Sequence, residues 1–140
     1  MPHPGPEPGS PADWLRHASS DLAIAQVPMT SGVLLETRCF HLQQAAEKSL
    51  KAVLVSLGIP APRTHNLKTL MEMLPRTCPL PTDVALAASL TDYAVISRYP
   101  GDYEEITEEE YREAVVSWGR RVTESWEAHG HVPHLPTIDD

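Results

Sequence analysis

Apolar residues recur at intervals of three and four along most of the chain, and no segment alternates strictly between apolar and polar positions. The first segment with this spacing follows Ser10 and ends before Pro28. Ser10 is a candidate N-cap, with Pro11 at the first helical position. Its apolar positions are Trp14, Leu15, Ala18, Leu22 and Ala25. The spacing predicts an amphipathic first helix.

The longest segment with this spacing follows the first helix. Thr30 or Ser31 is predicted to cap it, and Gly58 is predicted to end it. The apolar positions are Leu34, Leu35, Cys39, Leu42, Ala46, Leu50, Val53, Leu54 and Leu57. We predict a long second helix from this pattern.

Three further helices are predicted in the second half of the chain. A short one lies between Asn66 and Pro75, a longer one begins at Thr82 or Asp83 and stops before the turn at 97–101, and a last one opens with the Thr107 and Glu110 capping box and runs to about His129. The fold class predicted is all-α, an antiparallel up-and-down four-helix bundle with an extra short helix.

A chain of 140 residues accommodates about one domain. Five of the 14 prolines lie in the first 11 residues, so residues 1–10 are predicted to be a disordered tail. Residues 11–129 are predicted to form the helical bundle, and residues 130–140 a flexible C-terminal tail.

The apolar runs are far shorter than a membrane span requires, and the N-terminus lacks the features of a secretion signal, so no membrane contact and a cytoplasmic location are expected. Two cysteines are too few for a disulfide scaffold, which favours reduced thiols. His129, His131 and His134 lie where no rigid geometry is enforced, so neither a metal site nor a cofactor is predicted.

The net charge of −8 disfavours a simple nucleic-acid binder, but the charge is uneven. The stretch from Arg38 to Lys68 has five cations against one anion, which suits an anion or an acidic partner. The stretch from Asp102 to Glu113 has seven acids and one arginine, which is typical of a solvated or repelling face.

One stripe of the long helix combines apolar and cationic positions: Arg38, His41, Ala45, Lys48 and Ala52. One interpretation is a solvated flank with His41 packed against a neighbour or a dimer mate. The other is an anion or nucleotide contact.

The segment 98–103 is the least ordinary part of the sequence, because Arg98, Tyr99 and Tyr103 cluster at a rigid Pro-Gly turn. Arginine binds phosphate through two parallel hydrogen bonds and tyrosine stacks on a base, which suits a nucleotide. Alternatively, Arg98 pairs with a carboxylate and the tyrosines close the end of the bundle. For His65, too, two interpretations are open. It acts as a general base or a ligand, or it forms a structural hydrogen bond.

The order of these motifs resembles a HEPN domain over residues 12 to 128. The resemblance rests on 12–15 (ADWL), 21–23 (DLA), 39–52 (CFHLQQAAEKSLKA), 64–67 (THNL) and 98–100 (RYP). It implies a helical bundle that usually forms homodimers and is similar to the substrate-binding domain of nucleotidyltransferases. Free-standing bacterial members are commonly paired with a small separate nucleotidyltransferase, often as toxin and antitoxin.

Many members of this superfamily are metal-independent ribonucleases that use an arginine followed, after four to six residues, by a histidine. Counted from Arg98, those positions are Tyr103, Glu104 and Glu105, and from Arg121 to His129 the interval is one residue too long. No catalytic residues are therefore assigned.

The function predicted from sequence is a dimeric, non-catalytic protein that binds a nucleotide or an RNA end, or positions a substrate for a nucleotidyltransferase partner. Arg98 is predicted to bind phosphate and Tyr99 or Tyr103 to stack on a base. The weaker candidates for charge and orientation are His41, Lys48, Lys51 and His65. The alternatives are a divergent ribonuclease that uses Arg98 with His41 or His65, and a structural adaptor that makes only dimer and partner contacts.

Overall fold

The computed structural model describes residues 5–76, 85, 88 and 107–128, and all regular structure in them is helical. Helix α1 spans Pro11–Ala25, α2 spans Leu35–Ser56, α3 spans Leu67–Glu72 and α4 spans Glu108–Ala128. A short 3-10 turn, Met29–Ser31, lies between α1 and α2. Ala85 and Ala88 are also helical. The all-α bundle predicted from the sequence is confirmed.

Local caps determine where three helices begin. Ser10 Oγ accepts a hydrogen bond from the Asp13 backbone N–H at 3.2 Å, and Asn66 Oδ1 accepts one from Thr69 at 3.3 Å. Thr107 and Glu110 form the predicted reciprocal capping box, with bonds of 3.2 and 3.1 Å. Each cap satisfies an amide that the first helical turn leaves without a partner.

The predicted start of the long helix is wrong. Thr30 and Ser31 belong to the 3-10 turn, where Ser31 Oγ accepts from the Val33 N–H at 3.3 Å, and α2 begins only at Leu35. Gly32 ends the turn at φ 82°, a conformation that favours glycine because it has no Cβ. The predicted stop at Gly58, whose φ is 79°, is confirmed.

The core lies along the contact between α1 and α2, and α4 packs against both of these helices. Its largest fully buried side chains include Trp118, Leu15, Leu42, Leu50 and Leu54. Leu34 and Leu57, which the periodicity placed on the apolar face, are 66% and 46% exposed. They flank α2, Leu34 as its N-cap residue and Leu57 as its C-cap residue.

A tyrosine at the start of α4 ties it to the other two long helices. Tyr111 donates its hydroxyl proton to the carbonyl of Ala25, 2.5 Å away, in the last turn of α1. The Arg38 guanidinium of α2 lies 5.2 Å from the centre of the same ring, within the range of a cation–π interaction. One side chain therefore positions three helices. No helix in the described residues is long and apolar enough to cross a membrane.

Candidate functional site

Two clusters of charged side chains lie along α2. The Asp21 cluster comprises Asp21, His41 and Lys48, and the Glu47 cluster comprises Glu47, Lys51 and His65. Lys48 and Lys51 are three residues apart on α2, so the clusters adjoin on neighbouring turns. Four of the site residues predicted from sequence lie within these two clusters.

In the Asp21 cluster, a carboxylate on α1 binds two side chains of α2. His41 Nδ1 donates to Asp21 Oδ1 at 2.9 Å, and Lys48 Nζ donates to Oδ2 at 2.5 Å. The His41 and Lys48 side chains are 25% and 23% exposed. The cluster is thus a half-buried bridge between two helices, and its imidazole has a fixed orientation.

In the Glu47 cluster, both carboxylate oxygens are used. Lys51 Nζ donates to Oε2 at 3.2 Å, and His65 Nδ1 donates to Oε1 at 2.9 Å. The Glu47 and Lys51 side chains are only 3% and 5% exposed, and the Lys51 ammonium lies 5.2 Å from the Trp14 ring centre. His65, by contrast, is 81% exposed. The His65 imidazole therefore connects the buried Glu47–Lys51 ion pair to the protein surface.

The protonation of both imidazoles follows from their partners. An ionised carboxylate only accepts hydrogen bonds, so each Nδ1 must carry the proton. The lone pair of the neutral ring is then on Nε2. This orientation of histidine by a carboxylate is the one that acid–base catalysts and anion-binding sites use.

Two exposed cationic side chains lie near His65 in the sequence. Arg63 precedes it by two residues in the loop after α2, and Lys68 follows it by three residues in the first turn of α3. All three side chains are exposed, and within the described ranges neither Arg63 nor Lys68 forms a salt bridge. We call Arg63, His65 and Lys68 the basic loop surface.

The stripe predicted on α2 faces the interior of the bundle. Arg38, Ala45 and Ala52 are buried, and the two polar members between them contact α1. The stripe is thus only partly solvated, and His41 contacts a neighbouring helix of the same chain. The structural hydrogen bond predicted for His65 is also present. Arg98, Tyr99 and Tyr103 lie outside the described residues.

Sequence reasoning missed the two carboxylates that organise the clusters. Asp21 follows Ala18 by three residues and precedes Ala25 by four, so it falls within the apolar stripe of α1. A carboxylate in such a stripe requires a partner, which was an available signal. Glu47 gave a weaker signal, its spacing of four residues from Lys51.

No group of three or more histidine, cysteine or acidic side chains within the described ranges could hold a metal ion. Cys39 is a buried, free thiol.

Comparison with known proteins places the fold in a defined group. The family model described as the HEPN domain matches residues 11–124. The crystal structure of TT1696 from Thermus thermophilus is 29% identical, with a TM-score of 0.66 over 84% of this chain and 96% of that one. The structure of ST0689, an archaeal HEPN homologue, is 30% identical, with a TM-score of 0.63 over 85% and 97%. No curated protein matches the chain.

Proposed function

The chain belongs to the HEPN domain family, and from this premise we propose that it is a dimeric, non-catalytic, cytoplasmic protein that binds a nucleotide or an RNA end. In this role it positions the bound group for a separate small nucleotidyltransferase, as in a toxin–antitoxin pair. The observation that supports the proposal is the basic loop surface, where three exposed side chains that suit phosphate lie within six residues.

The two clusters divide the predicted site residues by role. Lys48 and Lys51 are neutralised by carboxylates, so we assign them to orientation rather than to direct phosphate contact. His65 is exposed, and its ring is fixed by Glu47. Phosphate binding is therefore assigned to Arg63, His65 and Lys68. Arg98 is a separate candidate for a phosphate contact, with Tyr99 or Tyr103 as candidates to stack on the base.

The test is a calorimetric titration with ATP, GTP and a short RNA, at low and at physiological salt. The double variant R63A/K68A is expected to weaken binding at least about tenfold, because each charge-assisted phosphate contact contributes on the order of 1.5 kcal/mol. R76A/R112A is the matched control, since it removes the same charge from two other exposed positions. R98A tests the second contact.

Equal losses in the two double variants would contradict the assignment to the basic loop surface. A loss in R98A alone would move the site to residues 98–103. Failure of wild-type protein to bind any of the three ligands would contradict the proposed function and favour the structural adaptor.

A specific observation also favours a second candidate, a divergent metal-independent ribonuclease. His41 and His65 are each held at Nδ1 by a carboxylate, which leaves Nε2 to exchange a proton with a 2′-hydroxyl or a leaving oxygen. Purified protein would be incubated with bulk RNA in EDTA, alongside H41A, H65A and the control H17A. Cleavage lost in H41A or H65A but kept in H17A supports the enzyme, and no cleavage by wild type excludes it.

A further inference from the structure

We propose that the basic loop surface binds a terminal phosphate monoester, and that His65 takes up a proton when this anion binds. The inference rests on the proposed function, because it specifies the ligand and the pH dependence of that site. It follows from the way in which Glu47 uses one of the two ring nitrogens of His65.

The hydrogen bond to Glu47 determines what the exposed nitrogen can do. Nδ1 of His65 donates to Glu47 Oε1 at 2.9 Å in both protonation states. In the neutral ring, Nε2 then presents a lone pair, which repels a phosphate oxygen. In the imidazolium, Nε2 becomes an N–H donor. Only the protonated ring can therefore bind both Glu47 and a phosphate.

The surrounding charges determine which anion fits best. Glu47 is already bound by Lys51, so the pair buried beneath His65 has no net charge. Arg63 and Lys68 are exposed two residues before and three residues after His65, and protonated His65 adds a third cation. A terminal phosphate monoester approaches two negative charges at neutral pH, whereas an internal diester has one. The monoester therefore gains more from the third cation.

Binding and protonation are then thermodynamically coupled. Protonation of His65 strengthens phosphate binding, and by reciprocity bound phosphate raises the proton affinity of His65. Affinity is therefore expected to be higher when the ring is protonated than when it is neutral. A proton taken up on binding comes from the buffer, and its uptake is measurable as heat.

The experiment is calorimetry of the full chain in buffers of different ionisation enthalpy, at pH 5, 6.5 and 7.5. Inorganic sulfate is the first probe, because it is a dianion that does not titrate in this range. The second probe is one RNA oligonucleotide with either a 5′-phosphate or a 5′-hydroxyl. We expect sulfate binding to be accompanied by proton uptake, and we expect at least about fivefold tighter binding of the phosphorylated RNA.

Two variants distinguish the effect of a lost cation on affinity from the loss of the group that takes up the proton. H65Q is expected to bind sulfate more weakly and without proton uptake, and K68Q to bind more weakly but with the wild-type uptake. Sulfate binding by wild type without proton uptake, or unchanged uptake in H65Q, would overturn the role of His65. Equal affinity for the two RNAs would overturn the preference for a monoester. Binding of neither probe would overturn the proposed function itself.

Discussion

At the scale of single residues, Glu47 has the largest consequences. Its carboxylate is buried, and its two oxygens bind two side chains, the buried Lys51 and the exposed His65. A buried ion pair adds little net stability, because the loss of hydration offsets the attraction between the charges. Removal of one partner is costly, however, because the other charge remains buried. Lys51 therefore depends on Glu47.

We predict that E47A lowers the free energy of unfolding by about 3 to 5 kcal/mol, because it leaves the Lys51 ammonium buried and unpaired. Urea denaturation measures the change. E72A is the control, since Glu72 is exposed at the end of α3, and a change within about 0.5 kcal/mol is expected. The double variant E47M/K51M should recover most of the loss. A similar small effect of E47A and E72A would contradict this account.

The separation in sequence between two contacting residues explains which contacts could be predicted. Ser10 and Asn66 cap helices through contacts three residues away, so a local pattern reveals them. The bond from His65 to Glu47 spans 18 residues, and the bond from His41 to Asp21 spans 20. These contacts depend on how helices pack, which periodicity does not encode. The histidines were therefore found as candidates, and their carboxylate partners were not.

At the scale of elements, the helix boundaries were predictable where a side chain makes them. The Thr107 capping box was correctly identified because its hydroxyl and the Glu110 carboxylate satisfy each other's backbone amides. α2 instead begins at Leu35, and its N-cap residue, Leu34, makes no side-chain capping bond. Thr30 and Ser31 have the chemistry of caps, but the chain uses them in a separate 3-10 turn.

We predict that T107A destabilises the protein by about 1 kcal/mol, since the Glu110 amide loses its side-chain acceptor. T107S keeps the hydroxyl and should retain most of the stability. Thermal denaturation of the two variants under the same conditions compares them. An equal loss in both would show that the threonine methyl group, rather than the cap, is responsible.

Asp13, in the first turn of α1, makes a pH-dependent contribution to the stability of the fold. Burial acts to raise the pKa of Asp13, but the hydrogen bond from the Gly9 N–H and the contacts with Arg16 and His17 outweigh it, so the pKa lies below its ordinary value of 3.8. A carboxylate with a lowered pKa stabilises the fold above its unfolded pKa and loses this contribution as the pH falls through the folded one.

Wild type is therefore expected to be more stable than D13N at pH 6, and the difference should shrink as the pH falls below about 4. Urea denaturation at several pH values gives the difference. D13N has nearly the same shape as wild type, so a difference that stays constant with pH would rule out the carboxylate charge as its cause.

At the scale of the whole molecule, a net charge of −8 and a phosphate-binding surface are compatible. At physiological ionic strength, charges more than about 8 Å apart are largely screened. Arg63 and Lys68 therefore act on a ligand as a local pair of cations, while the acids along α4, such as Glu109 and Glu113, are exposed on another element. Net charge alone would have excluded this function.

The salt dependence of RNA binding tests this local view. Three phosphate contacts with a single strand predict a slope of about −2 in a plot of log affinity against log salt concentration. In R63A/K68A the slope should become shallower than about −1. A slope that stays at about −2 in this variant would mean that other cations contact the RNA. R76A/R112A should keep the wild-type slope.

The bridge at Asp21 also bears on the order in which the protein is made. Its three members lie between residues 21 and 48, so the whole contact has been synthesised long before the first residue of α4, Glu108. Helices adjacent in sequence pair quickly because little chain must be closed between them. We therefore expect α1 and α2 to pair while the chain is still being synthesised, with Asp21 fixing the position of one helix along the other. The newly made α4 then packs on this helix pair.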